Sequence, residues 1–302
     1  MVKVALSVAY DGTSFRGWTD VRDSTLRPTL SRLLRQSELP LEVASRTDAG
    51  VHAFGNVCSF SCASPPRDLA QLTYSLNQLL PPEVCVTQIS LPPPDFDVRE
   101  TVGKEYRYHV NFAPRRQPLT RLYEWQVPAR RGALAWDGAS AAHAASLMLG
   151  RHSFAAFGNT PRGKERRAPV DASCALQMLQ LRQLTPTVVQ FRVRGDRFLY
   201  KMVRNIVGAL VRVGQGELEH EELLHALESG RFERSDSLPI TAPAHGLVLH
   251  SIMYARGNGP FDCHESLRAA GVNMQPDGLC DRGGGLRPWR VRAISSRRRS
   301  NG

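Results

Sequence analysis

The chain has 302 residues, 42% of them hydrophobic, enough for a substantial core in one large or two modest domains. No apolar run approaches the ~20 residues of a membrane span, and Met1-Val2-Lys3-Val4 leads straight into a strand pattern, so neither a membrane protein nor a secretory leader is expected. With 39 Lys and Arg against 28 Asp and Glu, the net charge is +11 and the pI is near 9.8, which favours a polyanionic partner.

Val2, Val4, Leu6, Val8 and Tyr10 alternate with less apolar residues at the period of a half-buried strand, closed by Asp11-Gly12. Leu26, Leu30, Leu33 and Leu34 recur at helical spacing, with Ser24 or Thr25 as cap and Pro28 near the start. A short strand, 41–45, precedes a loop at 46–52, and 56–62 reads as the strand leaving it. Asp68 caps the next predicted helix, whose apolar stripe is Leu69, Leu72, Leu76 and Leu79, ended by Pro81-Pro82. Val84, Val86 and Leu91 give another strand, broken by Pro92-Pro93-Pro94.

In the strand that follows, Tyr106, Tyr108, Val110 and Phe112 alternate with Glu105, Arg107, His109 and Asn111, giving one aromatic and apolar face and one polar face. A loop-rich connection, 113–137, leads to a helix at 138–149. Residues 159–170 are polar and basic, either a solvated linker or a phosphate-contacting loop. Val189, Phe191 and Val193 form the next strand. The helix 200–213 carries a broad apolar face and a stripe of Lys201, Arg204, Gly208 and Arg212; Gly208 in mid-helix costs about 1 kcal/mol relative to Ala, which hints at close packing there. A helix at 219–229 ends at Gly230, and the last strand spans 247–254.

Beyond 256 Gly and Arg accumulate without periodicity, including Arg290, Arg292 and Arg297 to Arg299, so 256–302 reads as a basic, disordered tail. The pattern divides into an α+β unit at 1–112 and a second at 113–255, each with helices on one face of an antiparallel sheet. The six cysteines contain no C-x-x-C pair and suggest no disulfide framework, which points to a reducing compartment, cytoplasmic or organellar.

The loop Ser45-Arg46-Thr47-Asp48-Ala49-Gly50-Val51-His52 sets one carboxylate, Asp48, among small and polar residues, with Arg46 and His52 close by. Composition alone leaves open whether Asp48 is solvated or reactive. Asp48 and His52 at i, i+4 would be metal ligands only on a helix and with a third ligand, which no nearby cluster supplies. Ser45 lacks the G-x-S-x-G elbow of a hydrolase.

The run Arg46-Thr47-Asp48-Ala49-Gly50-Val51-His52 resembles the catalytic loop of the TruA family of tRNA pseudouridine synthases. Three further segments match in the same order: Lys104 to Tyr108 (KEYRY), Phe198 to Gly208 (FLYKMVRNIVG) and Ala242 to Leu247 (APAHGL). The resemblance extends to the eukaryotic pseudouridylate synthase-like branch of the family. It implies the pseudouridine synthase fold, α+β with two subdomains whose sheets meet across a basic central cleft.

The resemblance also implies isomerisation of uridine to pseudouridine in the anticodon arm of tRNA, a homodimer, and neither metal nor organic cofactor. Asp48 takes the place of the essential aspartate, Tyr106 that of the tyrosine that stacks on the target base, and Arg204 that of the arginine paired with the aspartate. Leu247 matches the apolar pocket residue. Arg46, Lys201 and Arg107 are expected to contact RNA. Departures lie at Thr19-Asp20-Val21-Arg22, Arg27-Pro28 and Asp97, which bear on the position modified more than on the reaction. A catalytically silent RNA-binding protein or tRNA chaperone is the alternative on the same fold.

Overall fold

The computed structural model describes residues 1–36, 39–127, 136–159, 171–232, 241–255 and 259–261. The basic loop at 160–170 and the tail from 262 lie outside the described residues. The first two segments give β1 (Val2–Tyr10), helix α1 (Trp18–Val21), a π turn (Arg22–Leu26), α2 (Arg27–Leu34), β2 (Glu42–Val43), β3 (His52–Cys62), α3 (Leu69–Leu79), β4 (Val84–Ser90) and β5 (Gly103–Asn111). Then follow β6 (Trp125–Gln126), α4 (Gly138–Leu147), β7 (Gly150–Ser153), β8 (Ser173–Gln183), β9 (Val188–Gly195), α5 (Met202–Gly214), α6 (His220–Ser229) and β10 (Leu247–Met253).

The strands form one sheet in the order β4-β1-β3-β10-β5-β9-β8-β7, with β2 beside β3 and β6 beside β5. Most neighbours are antiparallel. The exception on the main path is the parallel pair β3 and β10, in register at Val248 with His52 and Leu249 with Ala53. This two-residue seam joins the N-terminal strands to the rest, and β5 lies on the far side of it, between β10 and β9. The residue that opens β3, directly after the Asp48 loop, is therefore hydrogen-bonded into the middle of the molecule.

Several elements differ from the sequence expectation for identifiable reasons. The first helix starts at Trp18, eight residues before Leu26, because Ser24 and Thr25 do not cap it: their hydroxyls donate back to the carbonyls of Asp20 (2.6 Å) and Val21. Pro28 has no N–H for the i−4 carbonyl, and the turn before it is the wider π form. Leu72 and Leu76 are buried as expected, but Leu79 at the end of α3 is 44% exposed. Strand β8 had no counterpart in the reading. Its register shifts between Leu176 and Met178, so buried Cys174 and Leu176 are followed by buried Leu179 on the other parity, which hides the period of two.

Strand β5 shows the expected two faces. Tyr106, Tyr108 and Val110 lie beside Val193, Phe191 and Val189 of β9, and all six side chains are buried. On the opposite face, Glu105 accepts from Arg107 (3.2 Å), Arg192 (3.2 Å) and Arg194 (2.8 Å). Burial alone would raise the Glu105 carboxyl; the hydrogen bond from Arg194 and the charges of Arg192 and Arg107 outweigh it and bring it down to about 2. No helix among the described residues is long and apolar enough to cross a membrane.

Candidate active site

Asp48 sits at the end of an irregular stretch between β2 and β3, in a loop clamped from several sides. Trp18 N–H donates to the Thr47 carbonyl (3.1 Å), Gly50 N–H to the Phe15 carbonyl (3.2 Å) and Val51 N–H to the Asp48 carbonyl (3.2 Å). Below the loop, the Thr47 hydroxyl lies 2.8 Å from the Tyr10 hydroxyl, and Asn56 donates both to that hydroxyl (3.2 Å) and to the Ser45 carbonyl (2.9 Å). These are buried polar groups with partners, so they fix the loop rather than loosen it.

Gly17 makes the close approach possible. Its φ is +93°, and a Cβ there would lie 2.5 Å from the Thr47 carbonyl oxygen. Gly17→Ala is expected to lower stability by about 2 kcal/mol or more, from a left-handed backbone plus a clash that must move the Asp48 loop. Gly216→Ala, at φ +69° with open space around it, is the control for backbone strain alone. Equal midpoints for the two variants in chemical denaturation would contradict the close-approach argument.

His52 is not a partner for Asp48. It opens β3, Gly12 N–H donates to its Nδ1 (3.0 Å), and the carbonyls of Leu122 and His245 lie 3.0 Å and 3.1 Å from its Nε2. The ring thus ties the loop to two other segments. The residues around Asp48 form a turn and not a helix, so no i, i+4 ligand pair arises; among the described residues no three His, Cys, Asp or Glu side chains gather as a metal site.

Around Asp48 lies a cleft of about 650 Å³ that brings together segments far apart in sequence. Arg204, from the first turn of α5, places Nη1 3.4 Å from Asp48 Oδ2 while its Nε donates to the Ala242 carbonyl (2.6 Å). The guanidinium is therefore oriented by the backbone as well as by the carboxylate. Burial pushes the Asp48 carboxyl above its ordinary value, against the pull of Arg204 and the charge of Lys201.

Tyr106 also lines this cleft. It is 7% exposed, its hydroxyl lies 2.9 Å from the Ser45 hydroxyl, and Phe198 meets its ring edge to face at 5.2 Å. Burial, opposed by the Ser45 hydrogen bond and reinforced by the Asp48 charge, pushes the phenol up to about 12, so it is protonated at neutral pH.

Of the residues singled out from sequence, Asp48, Tyr106, Arg204, Arg46, Lys201 and Leu247 all line this cleft. Lys201 does so from a left-handed position, φ +61°, at the start of α5. Arg107 does not. One residue from Tyr106 on a strand, it points to the other face of the sheet and pairs with Glu105. Lys104, Phe198 and Trp18 also line the cleft; none of them stands out as a site residue in the sequence, although Lys104 and Phe198 lie inside the quoted runs. Nor do the supports Tyr10 and Asn56 stand out there, since only the fold brings them under the loop. The expected basic stripe on α5 is not a wet face: Arg204 and Arg212 side chains are each 13% exposed.

A tRNA pseudouridine synthase family pattern matches residues 144–255. Relatives similar over nearly the whole protein include tRNA pseudouridine synthase A 2 of Protochlamydia amoebophila, 34% identical over 84% of this chain and 95% of that protein. The tRNA pseudouridine synthase A of Chlamydia muridarum is 34% identical over 87% of this chain and 96% of its own length, and that of Solidesulfovibrio magneticus 38% over 84% and 92%. With this much of the chain matched, it belongs to the tRNA pseudouridine synthase family, in the TruA branch.

Proposed function

We propose that this protein isomerises uridine to pseudouridine in tRNA, in the anticodon arm, with Asp48 as the nucleophile. The observation that carries the reading is the ion pair of Asp48 with Arg204 in a cleft walled by Tyr106. The reaction breaks the N1–C1′ bond, turns the uracil and rejoins it through C5, so that C5 loses a proton and N1 gains one, with no net redox change. A carboxylate paired with a guanidinium, which opposes the push of burial towards the neutral form, supplies the attacking group, at the base or at the sugar. Tyr106 offers a flat ring for a base drawn out of its stack, and Leu247 and Phe198 help exclude water while the uracil is free.

Arg46 and Lys201 at the cleft rim suit the RNA backbone. Two copies acting as a homodimer, as the family resemblance implies, would extend this basic surface. The chemistry as written needs neither a metal nor an organic cofactor.

The direct test is mapping of pseudouridine in an unmodified tRNA transcript after incubation with the protein. Product in the anticodon arm supports the reading; tight binding without product would instead indicate an RNA-binding protein. The electrostatics add a prediction. Asp48 must be ionised, so kcat/KM should fall on the acid side through an apparent pKa above the ordinary carboxylate value. Arg204→Ala removes the opposing charge and should move that acid limb to higher pH, besides lowering the plateau. An acid limb unmoved by the substitution, in a pH profile of both proteins, would separate Arg204 from Asp48.

A further inference from the structure

Lys104 precedes Tyr106 by two residues on β5, so both side chains emerge on the same face of the strand, about 7 Å apart along it. Both line the cleft. Across the sheet Lys104 is in register with Gly195 on β9 and Ile252 on β10, neither of which can supply an acceptor side chain. Among the described residues its amine has no hydrogen-bond or ion-pair partner, whereas Glu105 next to it is surrounded by three arginines on the other face. A half-buried ammonium without a counter-charge is unfavourable, and burial accordingly pulls the Lys104 amine below its ordinary value. A phosphate entering the cleft would bring the missing negative charge.

We infer that Lys104 is a positioning residue that binds a backbone phosphate of the RNA beside the nucleotide stacked on Tyr106. Its separation from Tyr106 along the strand is of the order of the distance between a base and a neighbouring phosphate of its own strand. The contact would hold the flipped nucleotide in register with Asp48 without touching the reacting atoms. The inference rests on the reading of the cleft as an RNA site, and it assigns one phosphate contact to one side chain.

The test is filter binding of unmodified tRNA to the full chain over a range of salt, for wild type, Lys104→Met and Lys104→Arg. Methionine keeps an apolar stem of similar length, so packing along the cleft wall is retained. Lys104→Met should weaken binding about tenfold and reduce the slope of log K against log salt by about one, the signature of one lost phosphate contact. Lys104→Arg should restore most of the affinity and the full slope. In turnover assays the same loss should appear chiefly in KM.

An unchanged salt slope for a folded Lys104→Met protein would overturn the assignment. So would a collapse of kcat at saturating tRNA with binding intact, which would put the amine in proton transfer. Because binding and its salt slope are read without turnover, absence of pseudouridine from wild type would count against the proposed function and leave the phosphate assignment to be decided by the slope.

Discussion

Asp48→Asn is expected to lower turnover by about four orders of magnitude or more while leaving tRNA affinity nearly unchanged. The substitution keeps the size and shape of the side chain and removes only its charge and nucleophilicity. Arg204 would remain held by the Ala242 carbonyl, so the cleft should keep its form. Loss of a negative charge from a basic cleft does not weaken attraction for a polyanion. The measurement is single-turnover pseudouridine formation beside tRNA binding for both proteins. A variant that binds poorly but turns over normally when saturated would place Asp48 in RNA recognition and not in chemistry.

The second large effect concerns stability. Glu105→Gln should destabilise the fold by about 3–5 kcal/mol, because it removes the carboxylate that Arg107, Arg192 and Arg194 share in a site where the Glu105 side chain is only 4% exposed. The acid dependence follows from the same site. Glu105 is depressed to about 2 in the folded chain, so its contribution is present above the ordinary glutamate value near 4.5 and is lost as pH falls from there towards 2. Nearby His250 is lowered to about 3, by burial first and then by the charge of Arg107; an unfolded histidine takes up its proton near 6.5, so folding loses stability below that pH. Stability should therefore decline from about pH 6.5 downwards and more steeply below 4.5, and Glu105→Gln should flatten the lower part. Urea midpoints across pH test both statements; a variant within 1 kcal/mol of wild type would show that the arginines are held otherwise.

What could be read from sequence followed physical signal strength. Strand β1 and the two faces of β5 alternate cleanly, and the Asp68 cap on α3 is visible as a residue type at the right place; the structure shows its carboxylate accepting from Gln71 N–H at 2.9 Å. Strand β8 was hidden by its bulge, and the early start of the first helix by hydroxyls that bond backwards along the chain. Composition left Asp48 open between a solvated and a reactive carboxylate, and Arg204, 156 residues away, was tied to it only by family resemblance until the fold brought them to 3.4 Å. Arg107 shows the converse: a basic residue beside Tyr106 in sequence lies, by strand alternation, on the opposite face of the sheet, against Glu105.

The most direct test of the account is release of tritium from C5-tritiated uridine in unmodified tRNA, comparing wild type with Asp48→Asn in the presence of EDTA. The proposed reaction replaces the C5–H bond with C5–C1′, so each turnover must free one C5 hydrogen. Release by wild type alone, undiminished by the chelator, is the expected result. No release from tRNA that the wild-type protein demonstrably binds, or equal release by the variant, would contradict it.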